Sequence, residues 1–456
     1  MREIIKIEDL RSQISGHIKE RRWLDAADGL EGLLRYLPDN QEVLLQLSYM
    51  RSLAGDYRSA SSAAVRAARR VSQDPEIVSD LLSRLRTFNE IGVLKDFVNK
   101  MGKPRFLPIP VLLAIGSQLS YLNLQEEALL YLDEAKRGDP NYPPALLSRA
   151  QVLTYLARFD EAADDIMAAL RRAPEIASAY PLLSQLKTQH SQDNHVDLIR
   201  KQLARPGRKP LEIANLAIAL HKELDDLGDS GKAWDALIMA NRAKRSTLHY
   251  SRAQGTALVD ALISSHLRDG APPPAEQDCE AIPIFVVGMH RSGTTLLEQL
   301  LSGSPVVKGI GEIYDFTSAM RWATNHHCHQ VIDLEIVLRS ISIDYEQVGR
   351  RYMSGVRWRL GKERFFTDKL PSNFLNAGFI ASALPSARII HMVRDPLEVC
   401  FSNLRELFSS ANPFSYEMGE LAAWFIDYRR LMEHWHALFP GRILDVDYAE
   451  LTRDPE

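Results

Sequence analysis

A 34-residue period runs through the first half of the chain and constrains its fold more than any other feature. Phe159-Asp160-Glu161-Ala162-Ala163 aligns with Gln125-Glu126-Glu127-Ala128-Leu129 at an offset of 34. At the same offset Ala169 matches Ala135, Pro174 matches Pro140 and Ala179 matches Ala145. Trp23-Leu24-Asp25-Ala26-Ala27 aligns with Tyr57-Arg58-Ser59-Ala60-Ser61 in the same way. Ala60 and Ala128 lie two periods apart, which leaves room for a weaker unit at Leu94, and a degenerate unit follows at Val196. A unit this short cannot bury an apolar face alone, so neighbours must stack. A small residue lets two helices approach closely, and Pro stops the second one. The spacing predicts a stack of helix hairpins. Residues 211–227, a break at Gly228 and residues 232–244 read as a last, atypical pair.

The small residues, the aromatic three positions before the Ala (Trp23, Tyr57, Phe159) and the helix-ending Pro resemble the tetratricopeptide repeat. The resemblance implies an α-solenoid over residues 1–265, with a groove of the kind that holds a peptide or protein. The sequence does not identify that ligand.

Composition excludes several classes. A net charge of -4 gives no global basic field, so no nucleic-acid partner is expected. No apolar run reaches the ~18 residues that a membrane span needs. Three cysteines, Cys279, Cys328 and Cys400, are too far apart for a disulfide framework. A reducing, cytoplasmic setting is expected.

Residues 266–282 read as a linker, with Gly270, Pro272-Pro273-Pro274, Glu276 and Asp278 in a polar stretch. Beyond it the pattern changes. Short β-type runs at 284–287, 364–366, 388–393 and 442–446 alternate with helical patterns at 295–301, 373–384, 397–408 and 421–438. Such alternation predicts a three-layer α/β domain over 283–456, with a parallel sheet covered by helices. In that architecture ligands sit just past the carboxyl ends of strands.

The first such place holds Gly288-Met289-His290-Arg291-Ser292-Gly293-Thr294-Thr295, with the G-x-x-x-x-G spacing of a P-loop entering a helix. Backbone N–H groups of such a loop cradle an anion. Thr294 stands where an ATP- or GTP-binding loop has the Lys that reaches the outer phosphates, which counts against a kinase or NTPase. Arg291 supplies a cation instead. Arg291-Ser292-Gly293-Thr294-Thr295 resembles the 5′-phosphosulfate loop of sulfotransferases, above all the tyrosylprotein sulfotransferases. The resemblance implies 3′-phosphoadenosine 5′-phosphosulfate (PAPS) as co-substrate. His290 stands where that family often has Pro.

The second place is Arg394-Asp395-Pro396, with Ser402 eight residues beyond Arg394. A strand-end Arg and a Ser two turns into the next helix can converge on one phosphate. The pair resembles the family's 3′-phosphate site. Glu406, with Arg405 beside it, occupies the position of a further Arg in the tyrosylprotein enzymes. The alternative role for Arg394 is a salt bridge with Asp395 or Glu398.

Sulfuryl transfer to a hydroxyl needs in-line positioning, charge stabilisation and a base. Glu312, in Lys308-Gly309-Ile310-Gly311-Glu312, resembles the family's general base. Tyr314 stands where the family has an acceptor-contacting Arg. Lys369, in Thr367-Asp368-Lys369-Leu370-Pro371, resembles the strand-end Lys that stabilises the departing phosphate oxygen. The tract His326-His327-Cys328-His329 is too tightly spaced for most mononuclear metal sites, and no metal is expected.

The combined features resemble bacterial-type repeat-containing sulfotransferases. Asp447-Tyr448-Ala449-Glu450-Leu451 resembles their Tyr-x-x-Leu element, after which the family continues with a nucleotide lid, so the chain reads as truncated at its carboxyl end. The expected activity moves the sulfuryl group of PAPS to a hydroxyl, that of a peptide or protein tyrosine. The alternatives are a P-loop kinase or NTPase, and a tetratricopeptide scaffold with an inert sulfotransferase-like domain.

Overall fold

The computed structural model describes residues 2–265 and 281–454. The expected linker lies outside the described residues except at its last two positions, and Ile282 already opens a strand; Cys279 lies outside them as well. By its contacts the chain forms two units, Met1–Gly138 with Tyr314–Arg357, and Asp139–Ile313 with Trp358–Glu456.

The first unit contains the helix hairpins Arg2–Lys19 with Trp23–Leu34, Gln41–Leu53 with Tyr57–Ala67, Pro75–Thr87 with Ile91–Lys100, and Ile109–Tyr121 with Gln125–Gly138. The period seen in sequence is a packing position. Ala26, Ala60, Leu94 and Ala128 are each the fourth residue of a second helix, and each is fully buried. The turns repeat with the same period. Arg21, Gly55, Asn89 and Asn123 have φ of 56°, 80°, 58° and 62°. A left-handed residue at that point reverses the chain tightly between helices.

Residues 314–357 supply the helices Asp315–Thr324, Leu334–Arg339 and Tyr345–Val356 to this unit. The first of them packs on the repeats through polar contacts that run from buried to exposed. Tyr57 Oη lies 2.9 Å from Ser318 Oγ, and Asn89 Nδ2 donates to Asp315 Oδ1 at 2.8 Å. Arg58 donates to the carbonyls of Trp322 and Ala323 at 2.8 and 2.9 Å, where a helix C-terminus favours a cation.

The second unit opens with Pro143–Tyr155 and Phe159–Arg172, whose turn carries Ala157 at φ 56° and whose Ala162 is fully buried. The short helices Ala179–Gln185 and Val196–Leu203 follow, then the pair Pro210–Asp226 and Ser230–Arg245 around Gly228, and Arg252–Ile263. Five strands form the sheet of this unit: β1 Ile282–Gly288, β2 Val307–Gly309, β3 Phe365–Asp368, β4 Arg388–Val393 and β5 Ile443–Asp447. Their order is β2-β3-β1-β4-β5, and every pairing is parallel. The central strand β1 is buried from Pro283 to Gly288, as expected of a parallel strand covered on both faces. Helix Met418–Leu438 covers one side and donates from Trp435 Nε1 to Phe374 O at 3.0 Å. Among the described residues, no helix is long and apolar enough to cross a membrane.

Candidate phosphate-binding and transfer site

β1 ends at Gly288, whose φ is +150°; a Cβ there would lie 2.7 Å from Met392 O and 3.0 Å from Ser292 Oγ. Only glycine allows so close an approach of loop and neighbouring strand. The Ser292 N–H donates to Met289 O at 3.2 Å, and Arg291 takes φ 70° to carry the chain round. Gly293, at φ +104°, is the N-cap of helix Thr294–Ser302, and a Cβ on it would strike the Tyr448 ring at 2.4 Å. The helix opens without a side-chain cap. Its first backbone N–H groups and the positive end of its dipole therefore face the loop. The Ser292 hydroxyl is buried and has no hydrogen-bond partner in the protein. These features fit an anion in the loop, with Thr294 buried and Thr295 exposed at the helix start.

Several groups hold the loop in place. Asn403 Nδ2 donates to His290 O at 2.7 Å, and Arg394 Nη1 donates to Arg291 O at 3.0 Å. The Tyr428 hydroxyl, whose pKa burial pushes up, interacts with the Met289 backbone and with His391 Nε2. His391 Nδ1 in turn bonds Asp445 Oδ1 at 2.8 Å, which His436 Nε2 reaches at 2.9 Å. Among the described residues, these two histidines and Asp445 form the one group whose ligand-type atoms converge, within 4.8 Å of one another. The tract 326–329 does not converge in that way: His326 bonds Asp333 at 2.9 Å, and the buried Cys328 donates to Gln330 O at 3.0 Å.

The expected 3′-phosphate pair comes from β4 and the helix after it. Asp395 caps helix Pro396–Leu404 by accepting from Leu397 and Glu398 N–H at 2.9 and 3.1 Å. The helix ends at Leu404, short of the expected 408, and Arg405 turns to Asp225 at 2.6 Å. Arg394 forms the salt bridge with Glu398, at 3.0 Å, and lies over the Tyr448 ring. Ser402 Oγ accepts from Arg291 Nε at 3.3 Å, and Arg291 also reaches Glu406 at 3.4 Å. Arg394, Ser402 and Arg291 thus share one cavity of about 500 Å³, although Arg394 and Ser402 do not bond each other.

Lys369 follows β3, and its N–H donates to Gly311 O at 3.1 Å. Its ammonium bonds Glu312 Oε1 at 2.8 Å; the Lys369 side chain is 8% exposed and that of Glu312 48%. The two candidate catalytic groups, 57 residues apart in sequence, are in direct contact. Glu298 fixes their setting: its buried carboxylate accepts from Gly311 N–H at 2.9 Å and from Thr367 Oγ1 at 2.7 Å. That residue ties the phosphate helix to both catalytic segments and was not singled out from sequence, where it reads as one more helix Glu. His290 sits close enough to sense the pair. Burial pushes its pKa down to about 4, with Glu312 opposing the shift and Lys369 and Arg291 adding to it. The His290 ring is therefore neutral at pH 7 and meets Phe408 edge-on at 5.5 Å.

Residues 283–456 match a family model described as the sulfotransferase family. An uncharacterized protein of Aquifex aeolicus is 28% identical over 343 residues, 72% of this chain and 44% of that protein. The chain thus spans less than half the length of this relative. A tetratricopeptide repeat protein of Parabacteroides merdae resembles 52% of the chain over 93% of its own length, at 15% identity and a TM-score of 0.38. YrrB, described as a TPR protein with an unusual peptide-binding site, resembles 46% of the chain over 98% of its own length, at 16% identity and a TM-score of 0.28. Residues 283–456 are a sulfotransferase-family domain, carried in this chain behind tetratricopeptide-like helix hairpins.

Proposed function

We propose that this domain transfers the sulfuryl group of PAPS to a hydroxyl, that of a peptide or protein tyrosine. The observation that carries the reading is the Lys369–Glu312 pair beside the phosphate loop, a buried ammonium 2.8 Å from a half-exposed carboxylate. The loop from Gly288 through Ser292, Gly293, Thr294 and Thr295 would hold the 5′-phosphosulfate with its N–H groups, helped by Arg291. Arg394 and Ser402 would take the 3′-phosphate. The acceptor hydroxyl gives its proton to Glu312 as its oxygen bonds the sulfur. The bond from sulfur to the bridging oxygen breaks, and its electron pair stays on the 5′-phosphate, where Lys369 offsets the charge. No step calls for a metal. The repeats would present the peptide or protein acceptor, and the setting would be cytoplasmic, with no nucleic-acid partner. The Thr294 side chain at the usual Lys position supports this reading over a kinase.

A panel of nucleotides tests it. Calorimetry should give adenosine 3′,5′-bisphosphate a higher affinity than ADP or ATP. Tighter binding of ATP would instead support a kinase or NTPase, and no nucleotide binding would support a scaffold.

A further inference from the structure

The cavity that holds Arg291, Arg394 and Ser402 has a second wall, made by the repeat-type helix Pro210–Asp226 of the same unit. His221 on that wall is 4% exposed. Its Nδ1 lies 2.9 Å from Ala233 O, so Nδ1 carries the proton. Nε2 is then an acceptor, and it is buried with no hydrogen-bond partner. Burial, with Arg405 adding to it, holds the imidazole neutral by lowering its pKa. A buried acceptor without a partner is costly unless a ligand donor satisfies it. Phe401, a large aromatic left 42% exposed, lines the same cavity. The cavity thus combines cations, an exposed aromatic face and a buried neutral acceptor with no partner, alongside Glu398 and Glu406, which are paired with Arg394 and Arg291, and it lies within the usual size range of ligand sites.

Resting on the sulfotransferase reading, we infer that the repeat helix reads the base of the donor nucleotide. The base stacks on Phe401, His221 Nε2 accepts from its exocyclic amine, and Arg394 with Ser402 holds the 3′-phosphate. A cation at position 221 would attract phosphate. A neutral acceptor selects an N–H donor, and adenine presents one at position 6, where guanine and hypoxanthine present a carbonyl oxygen.

The test compares adenosine 3′,5′-bisphosphate with purine riboside 3′,5′-bisphosphate, which lacks only the amine, by calorimetry on the full chain. The wild type should bind the amine-free analogue about tenfold more weakly, the effect of one buried hydrogen bond lost with its acceptor left unpaired. His221→Leu should bind the two nucleotides equally. Phe401→Ala, at an exposed position, should weaken both alike by roughly five- to a hundredfold through lost stacking. This analogue comparison and the Phe401 variant keep the test decisive even where His221→Leu folds poorly. Equal binding of both nucleotides by the wild type, or discrimination that survives His221→Leu, overturns the inference and leaves the sulfotransferase reading standing. Failure to bind either nucleotide removes that reading, and this inference with it.

Discussion

Replacing Glu312 by Gln separates two roles that the structure joins in one ion pair. The Lys369 ammonium is nearly buried and bonds Glu312 Oε1 at 2.8 Å. A donor phosphate near Lys369 must compete with that carboxylate. A charge-assisted hydrogen bond is worth about 1.5–3 kcal/mol, but Glu312 is half exposed and solvent reduces the value to about 1 kcal/mol. Removing the negative charge should therefore tighten adenosine 3′,5′-bisphosphate binding by about fivefold. Loss of the general base should lower turnover by ~10²–10⁴-fold in the same variant. These opposite signs distinguish the mechanism from structural damage, which would weaken both. The assay is calorimetry with adenosine 3′,5′-bisphosphate, followed by steady-state transfer from labelled PAPS. Near-full turnover would refute Glu312 as the base and turn attention to His290, a neutral imidazole beside the same pair. Weaker nucleotide binding would refute the competition between Glu312 and phosphate for Lys369.

Arg394→Ala should weaken adenosine 3′,5′-bisphosphate by roughly ten- to a hundredfold in calorimetry while leaving ADP less affected, because one charge-assisted contact to the 3′-phosphate is lost. His290 has a native pKa of about 4 against an ordinary 6.5, so the unfolded chain takes up its proton first as pH falls. Its contribution is fully present above pH 6.5 and is lost as pH drops towards 4, a change of about 3 kcal/mol that urea denaturation should register and His290→Phe should remove. Tyr57→Phe deletes a buried hydroxyl placed 2.9 Å from Ser318 Oγ and 3.2 Å from Phe88 O. It should cost about 1 kcal/mol in chemical denaturation; an unchanged midpoint would mean that helix Asp315–Thr324 does not lean on this bond.

Much of the fold was legible because packing repeats leave a mark in sequence. Ala26, Ala60, Ala128 and Ala162 are small since each is fully buried at a helix crossing, and the period of 34 follows. The left-handed turns share that period but did not show, because Arg21, Asn89, Asn123 and Ala157 are not glycine. The apolar run at β1 was readable from its burial on both faces, whereas β2, three residues long, carries too little pattern to register. Helices 315–324 and 345–356 were missed for another reason. In 315–324 the buried residues include Asp315, Thr317, Ser318 and Arg321, polar groups that interrupt an apolar stripe, and in 345–356 the stripe is short, Val348, Tyr352 and Val356.

At the site, local geometry was readable and long-range pairing was not. Gly288 and Gly293 stand where a Cβ would meet Met392 O or the Tyr448 ring, and their spacing alone marked the loop. The contact of Glu312 with Lys369, the bond from Arg291 to Ser402 and the bracing by Glu298 each join segments dozens of residues apart. A lone Glu or Lys carries no trace of such a partner. Glu406 shows how a departure acquires meaning: in the place of a further Arg it stands 3.4 Å from Arg291 and steadies that cation at the cavity.

The most direct test of the central claim is transfer of label from [³⁵S]PAPS by the purified chain to pools of tyrosine peptides, glycans and small phenols. The account predicts labelled peptide, with adenosine 3′,5′-bisphosphate released in equal amount, and a loss of labelling with Lys369→Ala. Nucleotide binding with no transfer to any pool, or labelling undiminished by Lys369→Ala, would contradict it.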